Sequence, residues 1–488
     1  MSLAARTGIL AIGNLVYRLT QTLTLIAVVR LVSPEEVGTY RQVWVLYNSL
    51  YVFFMLGLPG STYYHLAAAE PGRHRRFLRQ TSLLLAGLGT LFAGGLAGAS
   101  TVLPVSMHNP ALRATLLAIC PYALFSVANS YTYPALVVYR RSWFASGVTV
   151  LSSLCQLLVT VTVLSLGGGL VSMFLLLGVV SAGFLSLSTW LVWSRVPPSS
   201  APWAERPLAQ QLRYAVPLGL ADATTTLQGQ IDKIVASLFY LPAFFAQYSL
   251  GAVPLPFITV IRSAVFSVLL SEVSARRAAG EIGQILTIWR AAVRKTALIF
   301  YPLLFGGLVC AEALMSTLYT ASYRDAAIPF RVYLGMLALM VYPASSVVLA
   351  LGSSAFQFRV NLAGLALTVG LGALLVRPLG LVGPALGALA ALTVVVFLQL
   401  RHISKELDVG VIELLALRTQ MGPLLVSAIA AVPALGVAQF HWNVAFSLLL
   451  QSATYMVVYV PLLWLTPALS SGDRDQLRSM WAKLRGAR

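Results

Sequence analysis

Charged residues are scarce in this sequence. Asp, Glu, Lys and Arg together make up only 10% of the 488 residues, whereas hydrophobic residues make up 58% and the mean hydropathy is +0.82. A soluble domain of this length does not have such a composition, because it needs far more polar surface to face water. The sequence therefore predicts an all-α polytopic membrane protein.

Cysteine is also rare, and the motifs of common enzyme classes are missing. Cys120, Cys155 and Cys310 fall in separate apolar runs at spacings that suit neither a disulfide framework nor a zinc site. The sequence has no Walker loop, no His-Glu-x-x-His, no Cys-x-x-Cys and no nucleophile elbow. We therefore expect no catalytic residues, no metal site, no cofactor and no enzyme activity.

What the sequence does have is a series of long apolar runs. A helix needs about 20 apolar residues to cross a bilayer, and we count fourteen such runs, the first centred near residue 20 and the last near residue 453. The first run contains Asn14, Arg18 and Gln21 and lacks a small-residue cleavage site, so we interpret it as a retained helix. The sequence thus predicts about 14 transmembrane helices.

The distribution of Lys and Arg predicts the orientation. If the N-terminus is cytoplasmic, 24 of the 33 Lys and Arg residues fall in inner segments and 6 in outer loops, which leaves Arg18, Lys233 and Arg262 in the membrane. Because cytoplasmic loops are enriched in positive charge, both termini are predicted to be cytoplasmic. The net charge of +18 then reflects topology and attraction to the lipid bilayer, and nucleic acid is not an expected partner.

Two halves of the chain repeat one pattern. Pro34 and Pro242 are 208 positions apart, as are Tyr40 and Tyr248, and the Gly-Leu-Val at 169–171 recurs at 380–382. These matches predict two pseudo-symmetric six-helix lobes. The N-lobe spans 1–194 and the C-lobe 214–402, joined by a cytoplasmic linker at 195–213. Residues 403–488 supply two extra helices and a basic tail.

The predicted seventh helix carries ionisable residues at membrane depth. At helical spacing, Asp222, Thr225, Gly229 and Asp232 share one stripe, and Lys233 lies on the stripe beside it. Such groups cost about 2.5–3.5 kcal/mol each in the bilayer, so they normally face a cavity or pair with one another. Both alternatives are open for Asp232 and Lys233. In a cavity, Asp222 and Asp232 are candidates for coupling transport to an ion gradient.

Further candidates lie on other predicted helices. Arginine matches phosphate in bidentate geometry, so Arg18 and Arg262 are candidates to bind an anionic substrate; the alternative is that each pairs with Asp222 or Asp232. Lys233, Asn14 and Gln21 complete the predicted substrate site. Residues able to stack on or hydrogen-bond to sugar rings, or simply to pack, are Tyr47, Asn48, Tyr51, Asn129 and Tyr133. Gly94 with Gly98 and Gly383 with Gly387 have the spacing of close helix contacts.

Several short motifs in order along the chain resemble one transporter family. They are the segments 30–40, 214–219, 230–233, 248–251, 318–326 and 378–383. Together they resemble the polysaccharide transporter branch (Wzx-type O-antigen flippases) of the MOP superfamily. The resemblance implies two six-helix lobes arranged as a V around a central cavity. It also implies transport of an undecaprenyl-pyrophosphate-linked oligosaccharide from the inner to the outer leaflet of the bacterial cytoplasmic membrane.

This resemblance leads to an expected function and to alternatives. We expect a flippase of polysaccharide biosynthesis that works by alternating access for O-antigen or exopolysaccharide export, and other glycan-assembly membrane proteins such as a polymerase are candidate partners. The nearest alternative is a cation-coupled multidrug exporter of the same superfamily. A membrane glycan polymerase is a more distant one, since the longest predicted outer loop has only about a dozen residues.

Overall fold

The computed structural model describes residues 3–196, 207–253, 256–440 and 442–466, together with 468, 469 and 474. In these ranges the chain is helical and contains no strand. The chain divides into two compact units, Met1–Ser249 and Leu250–Arg488. Helices of the first unit are α1 (Leu3–Leu31), α2 (Pro34–Met55), α3 (Leu58–Ala68), α4 (His74–Ser106), α5 (Ala111–Asn129), α6 (Thr132–Val138), α7 (Ser142–Ser165), α8 (Gly169–Trp193), α9 (Pro207–Gln228), α10 (Ile231–Phe239) and α11 (Pro242–Gly251), whose last turn passes into the second unit.

The second unit contains the remaining helices. They are α12 (Pro256–Ala278), α13 (Ile282–Tyr319), α14 (Ala327–Met340), α15 (Ala344–Ala350), α16 (Ser354–Leu379), α17 (Gly383–Leu407), α18 (Val411–Leu415), α19 (Leu417–Ala438) and α20 (Val444–Leu465). The helices α19 and α20, which lie outside the sequence repeat, pack against α13. Their contact buries Tyr455, whose ring lies close to Gly306 of α13, and Tyr459 beside it.

The predicted membrane protein class is confirmed, but the helix count of fourteen is not. Among the described residues, 11 helical stretches are long and apolar enough to span a membrane, or up to 12 if the bent pair from Ala321 to Ala350 is one span. Two features lower this number. The stretch Ser354–Leu407 counts once although it contains both α16 and α17. The predicted seventh span is broken into α9, with 22 residues, and α10, with 9, and neither is among the long apolar stretches.

The start of α2, after the turn from α1, is stabilised by a capping box. Ser33 caps α2: its side chain accepts a hydrogen bond from the Glu36 backbone, and Glu36 in return accepts one from the Ser33 backbone, with Pro34 in the first turn. This capping box satisfies donors that a helix start leaves open. Gly38, in the first turns of α2, lies at a close helix contact. A Cβ there would lie 1.9 Å from the carbonyl oxygen of Pro242, so glycine lets α2 approach α11.

The apolar run that contains α2 and α3 is a broken helix. The break between α2 and α3 falls at Leu56 and Gly57, both with left-handed backbone angles. A Cβ on Gly57 would lie 2.2 Å from the Ala215 carbonyl oxygen, and one on Gly219 would lie 2.5 Å from the Gly57 nitrogen. The break is thus the place where α9 packs directly against the backbone of the α2–α3 segment, which no side chain larger than hydrogen permits.

Of the two glycine pairs predicted to lie at close helix contacts, one does so and the other does not. Gly383 and Gly387 bring α17 against α16, since a Cβ at these positions would lie 2.2 Å from Leu375 and 2.7 Å from Gly372. Gly94 and Gly98, in contrast, have no neighbouring atom within 4 Å of such a Cβ. The α4–α5 contact instead uses Gly89, whose Cβ would lie 2.6 Å from the carbonyl oxygen of Leu124.

The packing units differ in extent from the predicted lobes. The helices α9 and α10, which the repeat assigns to the C-lobe, pack against α2 and α3 in the first unit. Most of the predicted linker, 197–206 with its Pro197, Pro198 and Pro202, lies outside the described residues. The repeat-based lobe boundaries therefore remain a prediction from sequence.

Candidate functional site

The helix α1 packs against α7 and carries exposed polar residues next to this contact. Gly13 packs against Ser146 of α7, and the Ser146 hydroxyl donates a hydrogen bond to the Ile9 carbonyl oxygen over 3.1 Å. Asn14 and Arg18 lie outside the contact and are exposed. Among the described residues, Arg18 has no side-chain hydrogen bond or ion pair. The exposed side of α1 therefore presents a cation that is not neutralised.

Gln21 belongs to a polar chain that crosses the first unit. Its Nε2 donates to Gln156 Oε1 over 3.0 Å, and Gln156 Nε2 donates to the hydroxyl of Tyr122 over 3.3 Å. The chain links α1, α7 and α5. The sequence analysis did not identify Gln156 or Tyr122, although a glutamine within the apolar run of α7 was a signal for the first of them.

Tyr47 and Tyr51, the sugar candidates on α2, lie within an aromatic cluster. Tyr47 is buried, and its hydroxyl lies 2.6 Å from the Ser126 hydroxyl. Its ring stacks on Tyr51 at 5.3 Å and lies 5.5 Å from both Phe92 and Tyr122. The ring of Tyr47 is thus covered on several sides by other rings.

The remaining sugar candidates occupy different environments. Asn48 is exposed on α2. Asn129 ends α5, and its backbone and side-chain oxygens share the hydrogen bond donated by the Thr132 hydroxyl at the start of α6, so it shapes the break between these helices. Tyr133 on α6 is half-buried and interacts with Asn14 of α1 through a side-chain hydrogen bond.

The two acidic residues of the predicted polar stripe lie on separate helices. The sequence spacing assumes one continuous helix, but α9 ends at Gln228 and α10 begins at Ile231. Asp222 on α9 is exposed, whereas Asp232 on α10 is buried. The predicted single polar face is therefore wrong, because helical periodicity does not continue through a break.

Asp232 and Lys233 form a buried ion pair. Lys233 Nζ lies 3.3 Å from Asp232 Oδ1, and the two side chains are only 5% and 2% exposed. The pair has further partners, since the Tyr248 hydroxyl donates to Asp232 Oδ2 over 2.7 Å and Lys233 Nζ donates to the Gly229 carbonyl oxygen over 2.9 Å. The lysine thus fixes the helix break, and the tyrosine ties α10 to α11. We call Asp232, Lys233 and Tyr248 the closed cluster.

Asp222 has the opposite environment. Its side chain forms no hydrogen bond and no ion pair with any residue that the structure describes. The helix α9 packs against α2 and α3, and its buried side is formed by small residues, Ala215, Gly219 and Ala223. Asp222 and Thr225 lie away from these residues and are exposed.

Arg262 lies on α12 of the second unit. Its side chain is exposed, and its Nη1 is 4.0 Å from the Met340 sulfur at the end of α14. Within the described part of the first unit, Arg18 forms no ion pair with Asp222 or Asp232. The pairing of Arg262 with an acid stays an alternative from sequence.

Solved structures similar to this chain are transporters and a flippase. A lipid II flippase MurJ in an inward closed conformation has a TM-score of 0.71 at 14% identity, covering 93% of this chain and 98% of the other. An inward-facing multidrug resistance MATE family transporter of the MOP superfamily has a TM-score of 0.65 at 16% identity, covering 80% of this chain and 95% of the other. A MOP superfamily transporter from Pyrococcus furiosus has a TM-score of 0.56 at 15% identity, covering 82% and 94%.

The family follows from sequence. A comparison with curated protein sequences gives no significant match. Residues 27–328, more than half of the chain, match the family described as polysaccharide biosynthesis protein. This match runs from the end of α1 through the closed cluster and Arg262. The chain belongs to the polysaccharide biosynthesis protein family and has the transporter fold of the MOP superfamily.

Proposed function

We propose that this protein is a flippase for an undecaprenyl-pyrophosphate-linked oligosaccharide. It moves this lipid from the inner to the outer leaflet of the bacterial cytoplasmic membrane by alternating access, for O-antigen or exopolysaccharide export, and it is not an enzyme. The observation that carries the proposal is that Arg18, on a membrane-spanning helix, is exposed without an acidic partner among the described residues. Membership of a polysaccharide biosynthesis family supports the same substrate class.

The substrate supplies the negative charge that pairs with Arg18. A charged side chain at membrane depth is costly unless it faces water or meets an opposite charge, and pyrophosphate offers oxygen atoms that fit the planar guanidinium group. Arg262 has the same chemistry on the second unit. In the proposed mechanism the anionic headgroup binds Arg18, and Arg262 is a further candidate to bind it. A headgroup that binds one conformation more tightly than another shifts the protein towards it, as a ligand-driven switch requires.

Asp222 is the better candidate for ion coupling. A carboxylate without partners in the described chain can take up a proton or a cation as it changes conformation, whereas Asp232 already has Lys233 and Tyr248 as partners. We therefore assign Lys233 and Asp232 a structural role in the resting protein and propose that Asp222 couples transport to an ion gradient or membrane potential.

A cation-coupled multidrug exporter is the second candidate. The similarity in fold to MATE transporters and the exposed Asp222, which could attract a cationic drug, favour this function. Exposed Arg18 and Arg262 oppose it, because they would repel the same drug. Deleting the gene in its own cell separates the two functions: loss of surface glycan with accumulation of its lipid-linked precursor supports the flippase, and drug sensitivity with normal glycan supports the exporter.

The proposed orientation can be tested directly. We expect both termini in the cytoplasm, so single cysteines that replace Arg76 or Arg277 should react only with reagents that cross the membrane. A cysteine that replaces Arg324 should react with an impermeant reagent added outside intact cells. Labelling of residue 277 from outside would contradict the orientation.

A further inference from the structure

Four tyrosines lie on the surface of the first unit, apart from the aromatic cluster around Tyr47. Tyr63 and Tyr64 belong to α3, Tyr133 to α6 and Tyr214 to α9. Tyr64 is 56% exposed and Tyr63 and Tyr214 are each 42% exposed, so their rings offer surface to a ligand. We call these four residues the tyrosine row.

Ring contacts and polar contacts join the row across three helices. The rings of Tyr64 and Tyr214 stack with centroids 4.9 Å apart and planes 10° apart. The ring of His65 meets Tyr64 edge-on at 5.1 Å and Tyr214 at 5.7 Å, which holds the stacked pair from the side. Tyr63 and Tyr133 lie on α3 and α6, which pack against each other, as α3 and α9 do. The row thus lies on three neighbouring helices, with Tyr64 and Tyr214 as its stacked pair.

One end of the row reaches the polar side of α1. Tyr133 interacts with Asn14 through a side-chain hydrogen bond. Asn14 precedes Arg18 by four residues, so the two lie one helical turn apart on the same exposed side. A molecule bound to Arg18 could therefore extend along Asn14 to the tyrosines.

The chemistry of the row fits a sugar. A tyrosine ring has an apolar face that packs on the C–H face of a pyranose, and its hydroxyl can hydrogen-bond to sugar hydroxyl groups. Tyrosines also occur at membrane interfaces as anchors, but an anchor needs neither a stacked partner nor a polar neighbour on another helix. Tyr64 and Tyr214 stack on each other, and Tyr133 interacts with Asn14, one turn before Arg18.

We propose that the tyrosine row binds the first sugars of the substrate while Arg18 binds its pyrophosphate. This inference rests on the proposed flippase function and names the part of the protein that contacts the glycan. In the predicted orientation the row lies in the cytoplasmic half of the membrane, since α3 ends shortly before Arg73. The row therefore receives the glycan on the side where it is made.

The test compares two lipids that differ only in the sugar. Full-length protein in nanodiscs is titrated with undecaprenyl pyrophosphate and with an undecaprenyl-pyrophosphate-linked trisaccharide that begins with N-acetylglucosamine, long enough to extend from Arg18 along the row, and the dissociation constants are measured. The wild type should bind the sugar-bearing lipid more tightly. The double variant Tyr64→Leu/Tyr214→Leu should lose this preference, with affinity for the sugar-bearing lipid falling by about tenfold and affinity for the bare lipid unchanged.

Three controls make the outcomes distinct. Tyr64→Phe/Tyr214→Phe keeps the rings, so it should keep most of the preference and shows whether a loss in the leucine variant is due to misfolding. Trp190→Leu removes an equally exposed aromatic side chain of α8 that lies outside the row, and it should change neither affinity. Arg18→Ala should weaken binding of both lipids.

The results that overturn the inference are specific. Equal affinity of the wild type for the two lipids, or an equal loss for both lipids in the leucine variant, would show that the row does not recognise sugar. A Trp190→Leu effect as large as that of the leucine variant would show that these aromatics act as interface anchors. Failure of the wild type to bind either lipid would instead contradict the proposed function itself.

Discussion

The acidic residues on the two pieces of one broken helix have opposite environments. On α10, Asp232 is buried and bound by Lys233 and Tyr248. On α9, six residues before the break, Asp222 is exposed and has no partner in the described chain. The difference teaches that a charge at membrane depth is not by itself a functional site. A charge whose partners are all protein groups holds the fold together, and a charge left open is available to a substrate or ion.

The largest expected effect comes from breaking the closed cluster. Lys233→Met removes the ammonium group that pairs with the buried Asp232 carboxylate, so the free energy of unfolding should fall by about 3–5 kcal/mol. The measurement is thermal unfolding of the purified protein in detergent. Asp222→Asn is the matched control and should change the melting temperature little.

The double variant Lys233→Met/Asp232→Asn sharpens this prediction. It removes both charges together, so most of the lost stability should return. A double variant as unstable as the single one would show that the ion pair is not what stabilises the break between α9 and α10.

The next largest effect, on substrate binding, should come from replacing Arg18 or Arg262. Arg18→Ala and Arg262→Ala should each weaken substrate binding by roughly 10- to 150-fold, the effect of losing a charged hydrogen bond worth about 1.5–3 kcal/mol. Replacing either arginine with lysine should keep only part of the substrate affinity, because lysine keeps the positive charge but lacks the planar guanidinium group. Export of glycan and protein abundance are measured in the same cells.

The alternative role of these arginines predicts a different pattern. If Arg18 neutralises Asp222 in another conformation, Arg18→Ala should lower protein abundance, and Asp222→Asn in the same chain should restore both abundance and export. Normal abundance without export in the single variants fits substrate binding instead.

A more moderate effect is expected for Asp222. Asp222→Asn should reduce the dependence of transport on an ion gradient in vesicles while the stability stays within about 0.5 kcal/mol of the wild type, because an exposed side chain without partners contributes little to folding. Transport that keeps its full gradient dependence in this variant would remove Asp222 from the coupling mechanism.

The smallest effect should be that of Tyr47→Phe. The variant loses one hydrogen bond with Ser126 but keeps the ring contacts, so the unfolding free energy should fall by only about 1 kcal/mol. Transport should not change. A strong loss of transport at normal stability would return Tyr47 to the substrate site.

The membrane class and the turn chemistry could be predicted from sequence because both depend on local residues. Apolar composition identifies spanning helices, and the Ser33 and Glu36 cap follows from their spacing alone. The helix breaks could not be predicted in this way. The apolar run continues through Leu56 and Gly57, and what makes glycine necessary there is Ala215, more than 150 positions away in the chain.

The candidate site was only partly predictable for the same reason. Periodicity places Tyr47 and Tyr64 on helices but does not say which side of each helix has a neighbour. Tyr47 meets other rings on α2, α4 and α5, and Tyr64 stacks on Tyr214 of α9 while remaining half exposed. Arg18 was identified because an arginine in an apolar run is informative without any knowledge of its neighbours.

Translocation by the purified protein tests the central claim most directly. Proteoliposomes that contain an undecaprenyl-pyrophosphate-linked oligosaccharide in one leaflet are followed with a membrane-impermeant reagent that modifies the glycan once it reaches the other leaflet. We predict that the wild-type protein makes the glycan accessible, that Arg18→Ala does not, and that ethidium in the same vesicles is not transported. Transport of ethidium without movement of the lipid, or equal lipid translocation by Arg18→Ala, would contradict the account.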